Sequence, residues 1–350
     1  MSRGPDERAV AAVRGAVRRV LAARTPGATV LVACSGGADS LALAAATVAE
    51  AGGLALRVVG ITVDHGLQDG SEARAARVIE QLAALGVDET MTARVSVTPD
   101  GRGPEAAARE ARYAVLGQAA THLGAEAVLL GHTRDDQAET VLMGLTRGSG
   151  GRSVAGMRPS YDADGVLVAR PLLQVGREQT EAACRALDLT WWDDPHNTDP
   201  RFLRSRVRAT VLPVLEAELG PGVAQTLART GEQLRGDMEL LDALADALLA
   251  EAARGEDDEH AYDVDVLAAA PGPLRRRVLH RAALVAGAPP AELAHVHVLG
   301  VEALVTDWHG QRWADLPGPL RVVRRDGRIH LASPPTTPPT TPQTDDGPTP

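Results

Sequence analysis

From Ala28 onward, short apolar runs alternate with longer stretches of helical periodicity, the pattern of a parallel sheet covered by helices. Residues 29–34 are a β-branched run that predicts the first strand, and 41–49 predict the helix after it. Residues 56–63 predict a second strand, 71–85 a helix, 93–97 a strand and 104–123 a helix. The fully apolar 127–130 predicts a further strand and 134–145 its helix, and 166–173 with the helix 177–187 closes the unit. Beyond Pro213 the chain turns helix-rich, with breaks at Gly220-Pro221-Gly222 and Pro271-Gly272-Pro273, and a strand pair within 320–331 turns on Asp326-Gly327. The expectation is an α/β fold: a Rossmann-like parallel sheet with helices on both faces over residues 1–213, then a smaller, mainly helical domain over 214–332. Residues 333–350 are dominated by Pro and Thr and are expected to stay disordered.

One positional regularity points to a site. Ser35, Asp64 and His132 each stand at the end of a predicted strand. In an open parallel sheet ligands bind beyond the carboxyl ends of the strands, so these three segments are expected to line one crevice.

Composition narrows the chemistry. The chain contains no lysine, which excludes an enzyme-borne lysine nucleophile or Schiff base. Its two cysteines, Cys34 and Cys184, form no CxxC pair, so neither a disulfide framework nor a zinc or iron–sulfur site is supported. No stretch has the length or apolarity of a signal peptide or membrane span, which makes the cytosol the expected compartment. The net charge of −10 argues against a protein that coats nucleic acid. Arginines nonetheless cluster at 201–208, 275–281 and 321–328, patches able to meet a phosphate backbone.

The segment Ser35-Gly36-Gly37-Ala38-Asp39-Ser40 lies between a predicted strand and a predicted helix. Glycines there let backbone N–H groups approach an oxyanion, and the following helix adds its positive end. Ser35 and Ser40 offer hydroxyls to phosphate oxygens, and Asp39 offers a ligand for Mg²⁺. No Gly-Lys-Ser/Thr follows, so this is not a Walker A loop. In its strand–loop–helix context the segment resembles the nucleotide loop of the PP-loop ATP pyrophosphatases. On the helix after Gly131, Asp136 and Glu139 are three apart and His132 is four before Asp136, so all three project to one side. Two carboxylates on one face suit an ammonium group or a metal.

Further stretches extend the resemblance. They are Val63-Asp64-His65-Gly66-Leu67, Glu110-Ala111-Arg112-Tyr113, residues 131–142, Arg147-Gly148-Ser149-Gly150, Arg170-Pro171-Leu172-Leu173, and residues 194–208 running into Leu212-Pro213. Taken in order over residues 28–215, the series resembles the tRNA(Ile)-lysidine synthetases, PP-loop ligases. That resemblance implies an ATP-dependent carbon–nitrogen ligase that adenylates the wobble cytidine of an isoleucine tRNA with a CAU anticodon. Free lysine then displaces AMP to give lysidine. It further implies that Ser35 to Ser40 hold ATP, with Asp39 on Mg²⁺, and that Asp136 and Glu139 grip the lysine ammonium groups. Arg112 and Arg204 would supply positive charge near the adenylated base, and His65 would shape the pocket. His132, Asp136 and the departing phosphate all remain open as the proton acceptor. The chain departs from the family at Thr133, at Gln68-Asp69-Gly70 and at Ser205. The competing readings are another PP-loop tRNA-modifying enzyme, such as a thiolase, and a non-catalytic ATP-binding module.

Overall fold

The computed structural model describes residues 4–64, 70–95, 104–147, 150–194, 199–253 and 260–332. His65, the segment 66–69 and the tail from 333 lie outside them. Two compact units emerge, Met1–Arg235 and Gly236–Pro350.

In the first unit, strands β1 (Thr29–Ala33), β2 (Arg57–Asp64), β3 (Glu89–Arg94), β4 (Ala125–Leu129), β5 (Ser160–Ala163) and β6 (Val166–Ala169) form one sheet in the order β3-β2-β1-β4-β6-β5. Every pairing is parallel except β5 with β6. β1 is central, and its alternate residues serve two cores: Val30 and Val32 face one, Leu31 the other. On the first face lie α1 (Pro5–Leu21), α2 (Ala38–Ala51), α3 (Ser71–Leu85) and α7 (Arg177–Ala186). On the second face, α4 (Pro104–Leu123) buries Leu116, Ala119 and Ala120 against Val59, Ile61 and Val128. The expected sheet with helices on both faces is therefore present.

α5 (Arg134–Arg147) and the short α6 (Gly151–Val154) follow β4. A short α8 (Leu203–Arg206) runs through a π-helical turn, Val207–Val211, into α9 (Leu212–Leu219). α10 (Val223–Ala252) contains the division between the two units. In the second unit, β7 (Ala261–Asp263), β8 (Ala314–Leu316), β9 (Leu320–Arg325) and β10 (Arg328–Ala332) make an antiparallel sheet in the order β7-β10-β9-β8. It packs with α11 (Val264–Ala269), α12 (Gly272–Val285) and α13 (His295–Thr306) around a core that includes Leu267, Leu279, Leu304 and Ile329. The expected hairpin at Asp326-Gly327 joins β9 to β10.

Four elements differ from the sequence expectation. β3 lies at 89–94, not 93–97, because it is an edge strand whose exposed and half-buried positions alternate and leave no apolar run to mark its start. The run 166–173 stops as a strand at Ala169, where Pro171 cannot donate to a ladder and a 3₁₀ turn takes over. β5 has no counterpart in the expectation, although Asp164 (φ 53°) and Gly165 (φ 85°) form a positive-φ two-residue hairpin turn, for which Asp-Gly is a strong signal. α1 likewise has none. Its buried stripe Ala9, Val13, Ala16, Val17, Leu21 has helical spacing, and Arg14 and Arg18 tie it to Glu50 of α2 at 2.6 Å each.

Candidate functional site

The loop after β1 is held open by its own polar atoms. Ser40 Oγ accepts from the Ser35 N–H at 3.1 Å and donates to the Gly37 carbonyl at 2.8 Å, and the Ser35 hydroxyl lies 3.3 Å from it. Gly36 has φ 83°, and a Cβ there would stand 2.7 Å from Val78 Cγ2 of α3. Only glycine satisfies both constraints. The Gly36 carbonyl accepts from the Trp192 N–H at 3.0 Å, and Arg74 lies over the Trp192 ring at 4.0 Å. Gly131, at the end of β4, passes so close that a Cβ would come within 3.1 Å of Ser40 Cα. The His132 segment is thereby pressed against the start of α2, as a shared crevice requires.

Asp39, on the first turn of α2, accepts a hydrogen bond from the Thr180 hydroxyl and faces Arg177 Nε at 3.6 Å. Burial pushes its carboxyl up to about 6, a shift that Arg177 and Thr180 only partly offset. A carboxylate so short of positive charge suits a cation, and Mg²⁺ is commonly held by one or two carboxylates together with substrate phosphates. Among the described residues no cluster of three or more His, Cys, Asp or Glu can hold a metal unaided. Asp39 is thus a candidate ligand for an ion held jointly with nucleotide phosphates.

The second carboxylate group sits at the start of α5. Thr133 donates its N–H (2.8 Å) and hydroxyl (3.0 Å) to Asp136 Oδ2, capping the helix. Three arginines, from α7, α8 and the π-helical turn after it, converge on the acids. Arg177 reaches Asp136 at 3.2 Å and Glu139 at 3.8 Å. Arg204 Nε donates to Glu139 at 2.8 Å and its Nη2 to the Asp136 carbonyl at 3.2 Å. Arg208 donates to Glu139 at 2.7 and 3.0 Å and to Asp136 at 3.0 Å. Burial alone would raise the Asp136 carboxyl, but Arg177, Arg204 and the Thr133 N–H outweigh it and hold it down at about 2. Glu139 is fully buried.

Arg177 thus touches Asp39, Asp136 and Glu139 together, joining the nucleotide loop to the acid pair. The fold permits this because α5 and α7 start side by side: the Arg134 N–H reaches the Val175 carbonyl at 2.9 Å and the Arg177 N–H reaches Asp135 Oδ2 at 2.8 Å. His132 is held neutral, its pKa lowered to about 3 first by burial and then by Arg170, Arg109 and Arg204, and its Nδ1 is buried without a partner.

The structure therefore brings Asp39, His132, Asp136, Glu139 and Arg204 together beyond the carboxyl ends of β1 and β4 and places Arg112 on α4, beside Tyr113. Sequence reasoning missed Arg177, Thr180 and Arg208. The four-residue spacing of Arg204 and Arg208 is a usable signal, whereas nothing local marks Arg177 or Thr180. Both thiols are buried: Cys34 Sγ lies 3.5 Å from Ser40 Oγ, and Cys184 donates to the Ala38 carbonyl at 3.3 Å. In the second unit Arg275 and Arg276 pair with Glu302, and Arg277 and Arg281 with Asp242. Arg321 and Arg324 lie over the rings of the exposed Trp313 and Trp308. No helix among the described residues is long and apolar enough to cross a membrane.

Comparison with known proteins identifies the family. Residues 12–215 match the PP-loop domain family and residues 263–330 the TilS substrate binding domain. A tRNA(Ile)-lysidine synthase of Salinispora arenicola is 52% identical over 325 residues, covering 93% of this chain and 97% of that protein. Those of Thermobifida fusca (51%, covering 93% and 98%) and Streptomyces coelicolor (48%, covering 92% and 97%) are similar. Among solved structures, the U34-tRNA thiolase NcsA of Methanococcus maripaludis superposes with a TM-score of 0.55 at 18% identity, over 65% of this chain and 80% of that one, a likeness of fold alone. With a nucleotide loop, a paired-acid site and both family regions in one chain, the protein belongs to the tRNA(Ile)-lysidine synthase family.

Proposed function

We propose that the protein is a cytosolic ligase that uses ATP and free lysine to convert the wobble cytidine of an isoleucine tRNA with a CAU anticodon into lysidine. The observation that carries this reading is the Arg177 bridge, which sets the ATP loop and the acid pair within one side chain of each other. In the first step the cytidine C2 oxygen attacks the α-phosphorus of ATP and pyrophosphate leaves. In the second the lysine ε-amine attacks C2, the C2–O bond breaks, and AMP departs.

Ser35 to Ser40 hold the triphosphate through N–H groups, hydroxyls and the start of α2. Asp39 holds Mg²⁺, which when bound neutralises charge building on the departing pyrophosphate. Asp136 and Glu139 receive the lysine ammonium groups, and Arg204 with Arg112 supplies fixed positive charge near the adenylated base. With His132 near 3 and Asp136 near 2, neither is matched to accept a proton at neutral pH. Both are therefore assigned to positioning, and the departing phosphate is left as the proton acceptor. Residues 214–332 would carry the second tRNA contact, with Arg321 and Arg324 directed to phosphates.

The test is incorporation of labelled lysine into isoleucine tRNA transcripts with a CAU anticodon, in the presence of ATP and Mg²⁺, with a wobble-uridine transcript as control. Label on the first transcript alone, with AMP released in step, is expected. No label and no AMP would refute the reading.

A further inference from the structure

Between α4 and the β5–β6 hairpin lies a second cavity of about 400 Å³, lined by Arg109, Tyr113, Met157, Arg158, Tyr161 and Arg170. Three guanidiniums share this small space in a chain of net charge −10, yet none of the three is ion-paired to a carboxylate among the described residues. By contrast, Arg177, Arg204 and Arg208 are matched by Asp136 and Glu139.

Arg170 is the fixed member. It is 6% exposed, donates through Nη1 to the Arg158 carbonyl at 2.8 Å and through Nη2 to the Tyr113 hydroxyl at 3.0 Å, and its buried Nε has no partner among the described residues. A buried guanidinium N–H lacking an acceptor is an opening for a ligand that supplies one. Its guanidinium lies 5.4 Å from the Tyr161 ring, and that of Arg109 lies 5.3 Å from the Tyr113 ring. Arg109 and Arg158 are exposed and open to an approaching chain. Tyrosine and guanidinium planes stack on unpaired bases while arginine forks take phosphate oxygens, the pairing of interactions that single-stranded RNA offers.

The cavity opens beside the reaction site. Arg170 directly follows β6, whose last residue, Ala169, accepts from the Leu130 N–H at 2.9 Å, and His132 stands two residues beyond Leu130. β6 is two strands from β1, about 10 Å, so the cavity is displaced from the nucleotide loop and adjoins the place assigned to the target base. We propose that this pocket seats a nucleotide flanking the wobble cytidine, its phosphodiester on Arg109, Arg158 and Arg170 and its base against Tyr113 and Tyr161. This rests on the function proposed above and adds where the neighbouring RNA is held.

The test uses the full chain and the isoleucine tRNA transcript with a CAU anticodon. Arg109→Gln with Arg158→Gln, both at exposed positions, is expected to keep the wild-type thermal midpoint and to raise KM for the transcript about tenfold or more, the worth of a charge-assisted hydrogen bond. KM for ATP should stay unchanged. The slope of log affinity against log salt should fall by about 0.7 for each phosphate no longer neutralised, which a merely structural role would not produce. As a second variant, Tyr161→Leu should bind the intact transcript more weakly but bind one made abasic at the nucleotide beside the wobble cytidine almost as well as the wild type does, since both changes remove the same stacking. An active wild type with unchanged KM and salt slope in the double variant overturns the pocket alone. A raised KM for ATP with an unaltered one for RNA overturns it in favour of an ATP subsite. A wild type that makes no lysidine sinks the functional reading and this proposal together.

Discussion

Asp39→Asn is expected to make the nucleotide-free protein more stable while removing its activity. The Asp39 carboxyl rises from 3.8 to about 6, first because it is buried and only partly offset by Arg177 and the Thr180 hydroxyl. A native pKa above the unfolded one means that the native state binds the proton more tightly, so stability is fully present below about pH 4 and lost as pH rises through about 6. About two units at 1.36 kcal/mol each gives a penalty of about 3 kcal/mol at neutral pH. Asparagine reproduces the neutral carboxyl: it keeps an acceptor for Thr180, and Arg177 keeps Asp136 and Glu139. The assay is urea denaturation from about pH 4 to 8 in a Trp308→Phe, Trp313→Phe background, so that Trp191 and Trp192 report the first unit. The variant should be more stable by about 3 kcal/mol near pH 7.5, with the gap closing towards pH 4. Taking the difference between two chains cancels the titrating groups that do not interact with Asp39. A gap independent of pH, or a variant less stable at neutral pH, would refute the reasoning. Release of pyrophosphate at the wild-type rate by Asp39→Asn would separately refute its role in adenylation.

Other substitutions test the rest of the site. Glu139→Gln leaves Arg204 and Arg208 facing a neutral amide in a buried position; it should cost about 3–5 kcal/mol in urea denaturation and raise KM for lysine while ATP binding survives, and an unchanged lysine KM would remove Glu139 from the substrate site. Gly36→Ala meets both a positive φ and Val78, for a combined cost of about 2–4 kcal/mol and weaker ATP binding by calorimetry. Val78→Ala in the same chain should restore only the steric part. The Cys34→Ala, Cys184→Ala chain should still incorporate lysine, and the wild-type thiols should resist iodoacetamide in the native state, since burial pushes Cys184 up to about 12. Dependence of product formation on either thiol would instead point to sulfur chemistry.

The sheet is legible in the sequence because β1, β2 and β4 are buried on both faces over most of their length and read as largely apolar runs, and because helices such as α3 and α4 start and stop at Gly or Pro. β3 and β5 sit at the two edges, where half-exposed positions carry a weaker pattern. The nucleotide loop is legible because its chemistry is contiguous in sequence. The arginines around Asp136 and Glu139 are not, because their meaning depends on α5, α7 and α8 meeting beyond the carboxyl ends of the central strands, which no local pattern encodes. In the sequence Arg170 is only the first residue of an Arg-Pro-Leu-Leu run, and its unpartnered Nε becomes visible only once α4 is laid across from β6.

The guanidinium cage around Asp136 and Glu139 has a kinetic consequence. The hydrogen-bonded pairs of the cage join residues 41 to 72 positions apart along the chain, so each must wait for two distant segments to dock. Pairings of such sequence separation are entropically late, and interactions absent from the folding transition state act on the unfolding rate. Removing Arg208 should therefore speed unfolding of the first unit in stopped-flow denaturant jumps and leave its refolding rate nearly unchanged. The charge cluster that shapes the acidic site would then also be the latch that keeps the folded enzyme closed against spontaneous opening.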